Sequence, residues 1–202
     1  MTVGDNHALG FPHNWRAEIL ARPPLIAPAR QFVYPRQVAG EEDALARGAL
    51  LVMVHPDGGV GKAGGDFLAT CALGFTDPKM PTGIYACPNP RELCAVAGGY
   101  AYVIDTEVPE LSTHIPLKPV VEVLTLADHG LLVFVGFHSL VAWGRDGLAW
   151  QTARLSAEGI RIVGIGVEDG RLHGFGWEMM SDKEVEFCVD LRTGGMEQKT
   201  RG

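Results

Sequence analysis

Apolar runs alternate with short turn signals from His129 to Gly195. Between Asp146 and Gly194 the signals recur at steps of 11 or 12 residues. Short strands separated by turns at this interval are typical of an antiparallel meander. The pattern predicts an all-β chain with little helix, built chiefly from antiparallel sheets. The predicted turns lie at His129-Gly130, Asp146-Gly147, Glu158-Gly159, Asp169-Gly170, Ser181-Asp182 and Thr193-Gly194.

A two-residue turn at Asp169-Gly170 would fix the pairing of the strands that flank it. Asp-Gly is favoured there because both central positions need positive φ. In that register each glycine lies opposite a larger side chain, and a one-residue slip would move every side chain to the other face. Gly164 is predicted to face Phe175, and Gly166 to face His173. One face would carry Ile162, Gly164, Gly166, His173, Phe175 and Trp177.

The run 131–137 is continuously apolar, so it predicts a strand that is covered on both faces. A turn at His138 leads into a second strand, 140–144. The Asp146-Gly147 turn that follows is expected to set Trp143 opposite Trp150, as a cross-strand aromatic pair.

Segment 133–150 reads as an apolar strand ending in glycine, a short strand, an Asp-Gly turn and a closing Trp150. Segments 187–194 and 98–106 repeat its central part. This order resembles the repeat of quinoprotein-type β-propellers. The resemblance implies propeller-blade-like sheets, in a partial propeller or a β-sandwich, because a closed propeller needs at least four blades. Quinone-binding and calcium-binding motifs are absent from the sequence, so the resemblance implies no cofactor.

Residues 1–40 differ from the rest because they are rich in proline and have no clear period. Proline fixes φ and constrains the residue before it, so this segment is predicted to be an extended N-terminal arm. Such an arm would lie over the β domain or reach a neighbouring subunit. Residues 41–202 are predicted to form a single all-β domain. The prolines are Pro12, Pro23, Pro24, Pro28 and Pro35.

Local signals after the arm predict one or two helical turns at 41–47 and a first clear strand at 50–55. The glycine-rich segment 58–65 resembles a phosphate loop, but Pro56 and Ala63 stand where the pattern needs Gly and Ser or Thr. We therefore expect a loop between strands there, and no nucleotide site.

Composition narrows the class of protein. Hydrophobic residues at 47% and charged residues at 20% indicate a chain that folds around a core. A net charge of −7 argues against nucleic acid as a partner. The sequence has no apolar run of the roughly 18 residues that span a bilayer, and it does not begin with signal-peptide features. A bacterial-type cytoplasmic protein is expected.

The four cysteines are expected to be reduced and mostly buried. Cys87 and Cys94 leave two alternatives, a small disulfide loop or half of a metal site. The second would need another pair of ligands, and the sequence offers none at metal-binding spacing.

Candidate chemistry is sparse, since no histidine has a metal-ligand spacing and no Gly-x-Ser-x-Gly elbow occurs. No catalytic or metal-binding residue is predicted. Ligand-binding candidates are His138, His173, Trp177 and Glu178, although His173 and Trp177 are also explained as structural residues of a strand pair. The aspartates are mostly explained by turns.

Two functions remain open. The first is a non-enzymatic β-module that binds a protein partner or its own copy. The alternative is an enzyme or small-ligand binder with a pocket near His138, His173 and Trp177. Polar groups converging on an apolar pocket would favour the alternative, and a flat exposed aromatic patch would favour the first.

Overall fold

The structure is a computed structural model, and it describes residues 10–36, 38–57, 65–166, 170–178 and 182–197. Helix in this part of the chain is confined to two 3₁₀ turns, Ala44–Arg47 and Ala127–His129. The strands are β1 (Trp15–Leu20), β2 (Arg30–Tyr34), β3 (Ala49–Pro56), β4 (Phe67–Ala72), β5 (Gly83–Ala86), β6 (Glu92–Ala97), β7 (Tyr100–Asp105), β8 (Ser112–His114), β9 (Val120–Leu126), β10 (Leu131–Gly136), β11 (Leu140–Gly144), β12 (Gly147–Gln151), β13 (Ile160–Gly166), β14 (Arg171–Glu178), β15 (Lys183–Asp190) and β16 (Met196–Glu197).

These strands form four four-stranded sheets, which confirms the all-β prediction. Sheet A has the order β1-β3-β4-β2. Sheets B (β5 to β8), C (β9 to β12) and D (β13 to β16) are meanders, in which each strand pairs with the next along the chain. The predicted turns separate these strands, although residues 167–169 and Ser181 lie outside the described residues. So does most of the predicted glycine loop, 58–64.

Contacts divide the chain into two compact units, with the division between Val120 and Val121. Sheet A belongs to the first unit, and residues 15–34 supply two of its strands. β1 pairs with β3, and β2 pairs in parallel with β4. The predicted arm (1–40) and single all-β domain (41–202) stay a prediction. No proline lies within β1 or β2, so none removes a hydrogen-bond donor from these strands. Both strands are also at the edges of the sheet, where nearby prolines are tolerated.

The first unit is held by apolar strands and by buried rings whose polar atoms are paired. Trp15 is almost fully buried, and its Nε1 donates to the carbonyl of Glu92 at 3.2 Å. The Tyr102 hydroxyl donates to the carbonyl of Ala72 at 2.8 Å. Tyrosine and tryptophan are stable in a core only when such partners exist. The four cysteines are buried and form no disulfide, as expected; they are Cys71, Cys87, Cys94 and Cys188.

The core of the second unit joins residues of sheets C and D. All of β10 is buried, which confirms that this strand is covered on both faces, but Phe137, the last residue of the predicted run, lies outside β10 and is 49% exposed. Trp150 lies in the core, and its Nε1 donates to the carbonyl of Leu191 at 2.7 Å. This bond ties sheet C to the turn that follows β15.

The predicted register of the β13–β14 hairpin is wrong. Gly164 pairs with His173, Ile162 pairs with Gly174, and the register shifts between Ile162 and Gly164. Gly166 pairs with Arg171, so four positions separate the paired strands instead of the predicted two, and the pairs from Gly164 to Gly166 are displaced by two residues. The bulge then inserts Val163 and exchanges the face of the residues before it. The Phe187 ring lies against the backbone of Gly174, since a Cβ added to Gly174 would lie 2.9 Å from Phe187 Cε1. Gly174 therefore leaves room for an aromatic ring, and that ring belongs to Phe187 of β15.

The predicted Trp143–Trp150 pair is also wrong. Trp143 lies opposite Leu148, and Ala142 lies opposite Trp150. A register shift between Ala142 and Trp143 leaves Ala149 as an extra residue in β12, so the two rings are not cross-strand partners.

Candidate functional site

His173 and Trp177 lie on the same face of β14, together with Phe175, because side chains alternate along a strand. The opposite face of β14 carries Leu172, which belongs to the core. His138 lies in the turn between β10 and β11, and Glu178 is the last residue of β14. The structure thus brings together His173 and Trp177 on a surface that His138 does not share.

This surface, which we call the open face of sheet D, spans three strands. The register places Arg161, Phe175 and Glu186 side by side in one row across β13, β14 and β15. Its members are Arg161, His173, Phe175, Trp177, Glu184 and Glu186.

The open face has an aromatic centre between charges of opposite sign. The Arg161 guanidinium lies 5.5 Å from the Phe175 ring centroid and donates to Glu184 Oε1 at 3.0 Å. Trp177 is 43% exposed, a large fraction for a ring of this size. His173 Nδ1 lies 3.8 Å from Glu186 Oε1. Exposed aromatic rings next to arginine are the residue types that contribute most to protein interfaces.

A small cavity of about 200 Å³ lies beside Trp177. Ser156 Oγ donates to the Trp177 carbonyl at 2.9 Å, and the Leu155 amide donates to the His138 carbonyl at 2.7 Å. The loop that contains these residues therefore connects His138 to Trp177 through one backbone hydrogen bond and one side-chain hydrogen bond. Neither His138 nor His173 is among the described lining residues, which are Leu155, Ser156, Ala157, Glu158, Gly176, Trp177 and Val185.

A second polar group, in the first unit, was missed by the sequence analysis. The Glu41 carboxylate is 8% exposed and accepts three hydrogen bonds. Arg47 NH2 donates at 2.6 Å, the Tyr100 hydroxyl at 2.7 Å and Lys118 Nζ at 3.1 Å. Burial alone would raise the pKa of Glu41, but the bonds from Tyr100, Arg47 and Lys118 outweigh it and lower the pKa to about 2. We call these four residues and His114 the Glu41 cluster.

His114 lies between the rings of Tyr100 and Tyr102, with centroid distances of 4.9 and 4.8 Å. Its Nε2 is buried and has no hydrogen-bond partner among the described residues. Burial and the nearby Lys118 charge lower the pKa of His114 to about 4. The imidazole is therefore neutral at physiological pH, and the stabilisation from its neutral form is lost as the pH falls from about 6.5 towards 4.

We expect the His114 ring resonances to remain constant from pH 8 to about pH 5 and to titrate with a midpoint near pH 4. The measurement is a proton–carbon NMR titration, with the His114→Gln variant used to assign the signal. The exposed His129 serves as the comparison within the same spectra. A midpoint for His114 above pH 6 would contradict the burial described here.

Other sites are few. Within the residues that the structure describes, no group of three or more His, Cys, Asp or Glu is placed to hold a metal ion. None of the described helices has the length and apolar character needed to cross a membrane. Leu25 and Ile26, in the proline-rich connection between β1 and β2, are 99% and 90% exposed.

Comparison with known proteins gives no family. No family model matches the chain, and no curated protein matches it. A solved structure of a TolB-like protein from Agrobacterium tumefaciens is 11% identical, with a TM-score of 0.32. The match covers 67% of this chain and 50% of that protein. The resemblance to quinoprotein-type repeats therefore stays a prediction.

Proposed function

We propose that the chain is a non-enzymatic β-module, with blade-like sheets, that associates with a second copy of itself through the open face of sheet D. The observation that carries the proposal is the row of Arg161, Phe175 and Glu186 across three neighbouring strands. Its sequence of positive, aromatic and negative groups is self-complementary. The net charge of −7 supports a protein partner over nucleic acid.

The order of charges selects one geometry for the dimer. A two-fold axis that runs along β14 between two stacked sheets would bring each copy's β13 over the other copy's β15. Arg161 of each copy would then face Glu186 of the other, and the Phe175 and Trp177 rings would meet near the axis. An axis across the strands would set Arg161 against Arg161, which is repulsive.

The size of the face limits the affinity. Three strands spaced about 4.8 Å apart and eight residues long cover about 400 Å² per copy. A standard stable interface uses about 800 Å² per partner. We therefore expect a weak, reversible dimer that forms at high protein concentration.

Charge reversal tests this geometry directly. Arg161→Glu and Glu186→Arg are each expected to weaken self-association at least tenfold, because each places like charges together in the dimer. Mixing the two variants should restore the dimer, since both contacts then join opposite charges. Sedimentation equilibrium over a concentration series measures all three samples.

The exposed pair Leu25 and Ile26 supplies the control. Replacing both by serine removes apolar surface far from the row of charges in sequence and should leave self-association unchanged. A mixture of the two charge variants that stays monomeric would contradict the proposed axis. Wild-type protein that stays monomeric at millimolar concentration would contradict the proposed function.

A small-ligand function near His138, His173 and Trp177 is the second candidate, and the cavity beside Trp177 is the observation that favours it. Its volume of about 200 Å³ is below the range of about 300–1,000 Å³ that is usual for ligand pockets. Self-association is preferred for that reason.

A further inference from the structure

A larger cavity, of about 460 Å³, lies in the second unit around the turn that follows β15. Its volume falls within the range of ligand pockets. The lining residues include groups of both charges as well as apolar side chains. They are His129, Leu131, Gly170, Asp190, Leu191 and Arg192.

The turn that carries the charged residues is rigidly held. Asp190 Oδ1 accepts from the Arg192 amide at 3.0 Å, from the Thr193 amide at 2.8 Å and from Thr193 Oγ1 at 2.9 Å. The Leu191 amide donates to the Gly170 carbonyl, and the Leu191 carbonyl accepts from Trp150. Groups that are fixed before a ligand arrives lose little entropy on binding, so this turn is a suitable platform.

The two charged side chains have binding capacity beyond the turn. All three side-chain bonds above go to Asp190 Oδ1, so Oδ2 can accept from a further donor. The bonds from Thr193 and Arg192 lower the pKa of Asp190, so it is ionised at neutral pH. Arg192 is exposed, and its planar guanidinium matches a carboxylate with two parallel hydrogen bonds.

The other four lining residues are His129, Gly170 and two leucines. Leu131 and Leu191 are buried, at 8% and 3% exposure, and both line it. An ion without an apolar part would not pack against the two leucines. A purely apolar molecule would not bind Asp190 or Arg192. A ligand that satisfies the whole cavity has a negative group, a positive group and a short hydrocarbon chain.

We propose that this cavity binds an α-amino acid with an apolar side chain. Arg192 holds the carboxylate, Asp190 Oδ2 accepts from the ammonium group, and the side chain packs against Leu131 and Leu191. This site shares no residue with the members given for the open face of sheet D, and the leucine test does not depend on self-association.

The test uses isothermal titration calorimetry with L-leucine and with 4-methylpentanoate, which is the same molecule without the ammonium group. Arg192→Gln is expected to weaken the binding of both probes at least tenfold. Asp190→Asn keeps an oxygen that can accept the three turn bonds but removes the charge, so it should weaken leucine at least tenfold and leave 4-methylpentanoate unchanged.

Asp105→Asn is the matched control, because Asp105 ends a strand of sheet B and accepts from the amides of Glu107 and Val108 at 2.9 Å in a similar turn. It should not alter the affinity for either probe. The proposal is overturned if leucine gives no saturable heat up to about 10 mM, a range in which millimolar binding is detectable. It is also overturned if Arg192→Gln, a change at an exposed position, leaves leucine affinity intact.

Discussion

Replacing Gly74 by valine is expected to lower the free energy of unfolding by about 3 kcal/mol or more, at the upper end of overpacking costs. Gly74 follows β4, and its amide donates to the Ala97 carbonyl at 3.0 Å, so the backbone is fixed. A Cβ there would overlap the Tyr100 ring, with 2.6 Å to both Cγ and Cε1. The ring would have to move.

Tyr100 has little freedom to move. Its hydroxyl donates to Glu41, its ring meets Phe75 edge-on at 6.0 Å, and Lys118 Nζ lies 4.8 Å from the ring centroid. Displacing the ring to admit a larger residue at position 74 therefore breaks the Glu41 cluster as well. The lost contacts of the Glu41 cluster add to the cost of overpacking, so we place the total loss of stability at the upper end of the range, about 3 kcal/mol or more.

Urea unfolding measures the effect, with Gly65→Val as the matched control. A Cβ on Gly65 meets no atom within 4 Å, and its φ is not in the left-handed region, so this change should be almost neutral. In a Tyr100→Ala background, the cost of Gly74→Val should fall sharply, because residues in contact are coupled. Equal costs in both backgrounds would show that the ring is not the obstacle.

Glu41→Gln is expected to destabilise the protein by about 2–3 kcal/mol at pH 7. The substitution removes the buried negative charge that pairs with Arg47 and Lys118. The pKa of Glu41 is lowered from 4.5 to about 2 in the folded chain. Its stabilising contribution is therefore complete above pH 4.5 and is lost as the pH falls towards 2. The difference between wild type and variant should shrink over that interval.

Denaturant unfolding of both proteins from pH 7 to pH 3 measures this difference. Glu122→Gln, an exposed change in β9, is the control and should show little difference from wild type at any of these pH values. If the difference in free energy of unfolding between wild type and Glu41→Gln is the same at every pH, loss of the negative charge does not account for it.

Strand positions were predictable because turn residues carry a local signal. Gly147, Gly170 and Gly194 have positive φ, which glycine adopts without strain, and all three lie at predicted turns. The registers were not predictable for two reasons. The connection between β13 and β14 spans four positions instead of the predicted two, and the two bulges, at Val163 and Ala149, insert ordinary residues into a strand. Nothing in the identity of a valine or an alanine marks a bulge.

The polar sites depend on contacts that a local pattern does not contain. Glu41, Tyr100 and Lys118 come from separate segments, and only the packing of the first unit brings them together. The general explanation of the aspartates by turns and strand ends holds for Asp190, which ends β15 and accepts hydrogen bonds from Thr193. The cavity beside it was missed because two of its lining residues come from elsewhere: His129 lies in the 3₁₀ turn before β10, and Leu131 lies in sheet C. His173 and Trp177 were placed on one face by strand alternation alone.

Sheet A also constrains the order in which the chain can fold. In sheets B, C and D each strand pairs with the strand that directly follows it, so short loops close first and at low entropic cost. β1 instead pairs with β3 and β2 with β4, which follow after 28 and 32 intervening residues. During synthesis β1 and β2 therefore remain unpaired until β3 and β4 have emerged. Contacts of long sequence separation slow folding, so closure of sheet A is the expected slow step.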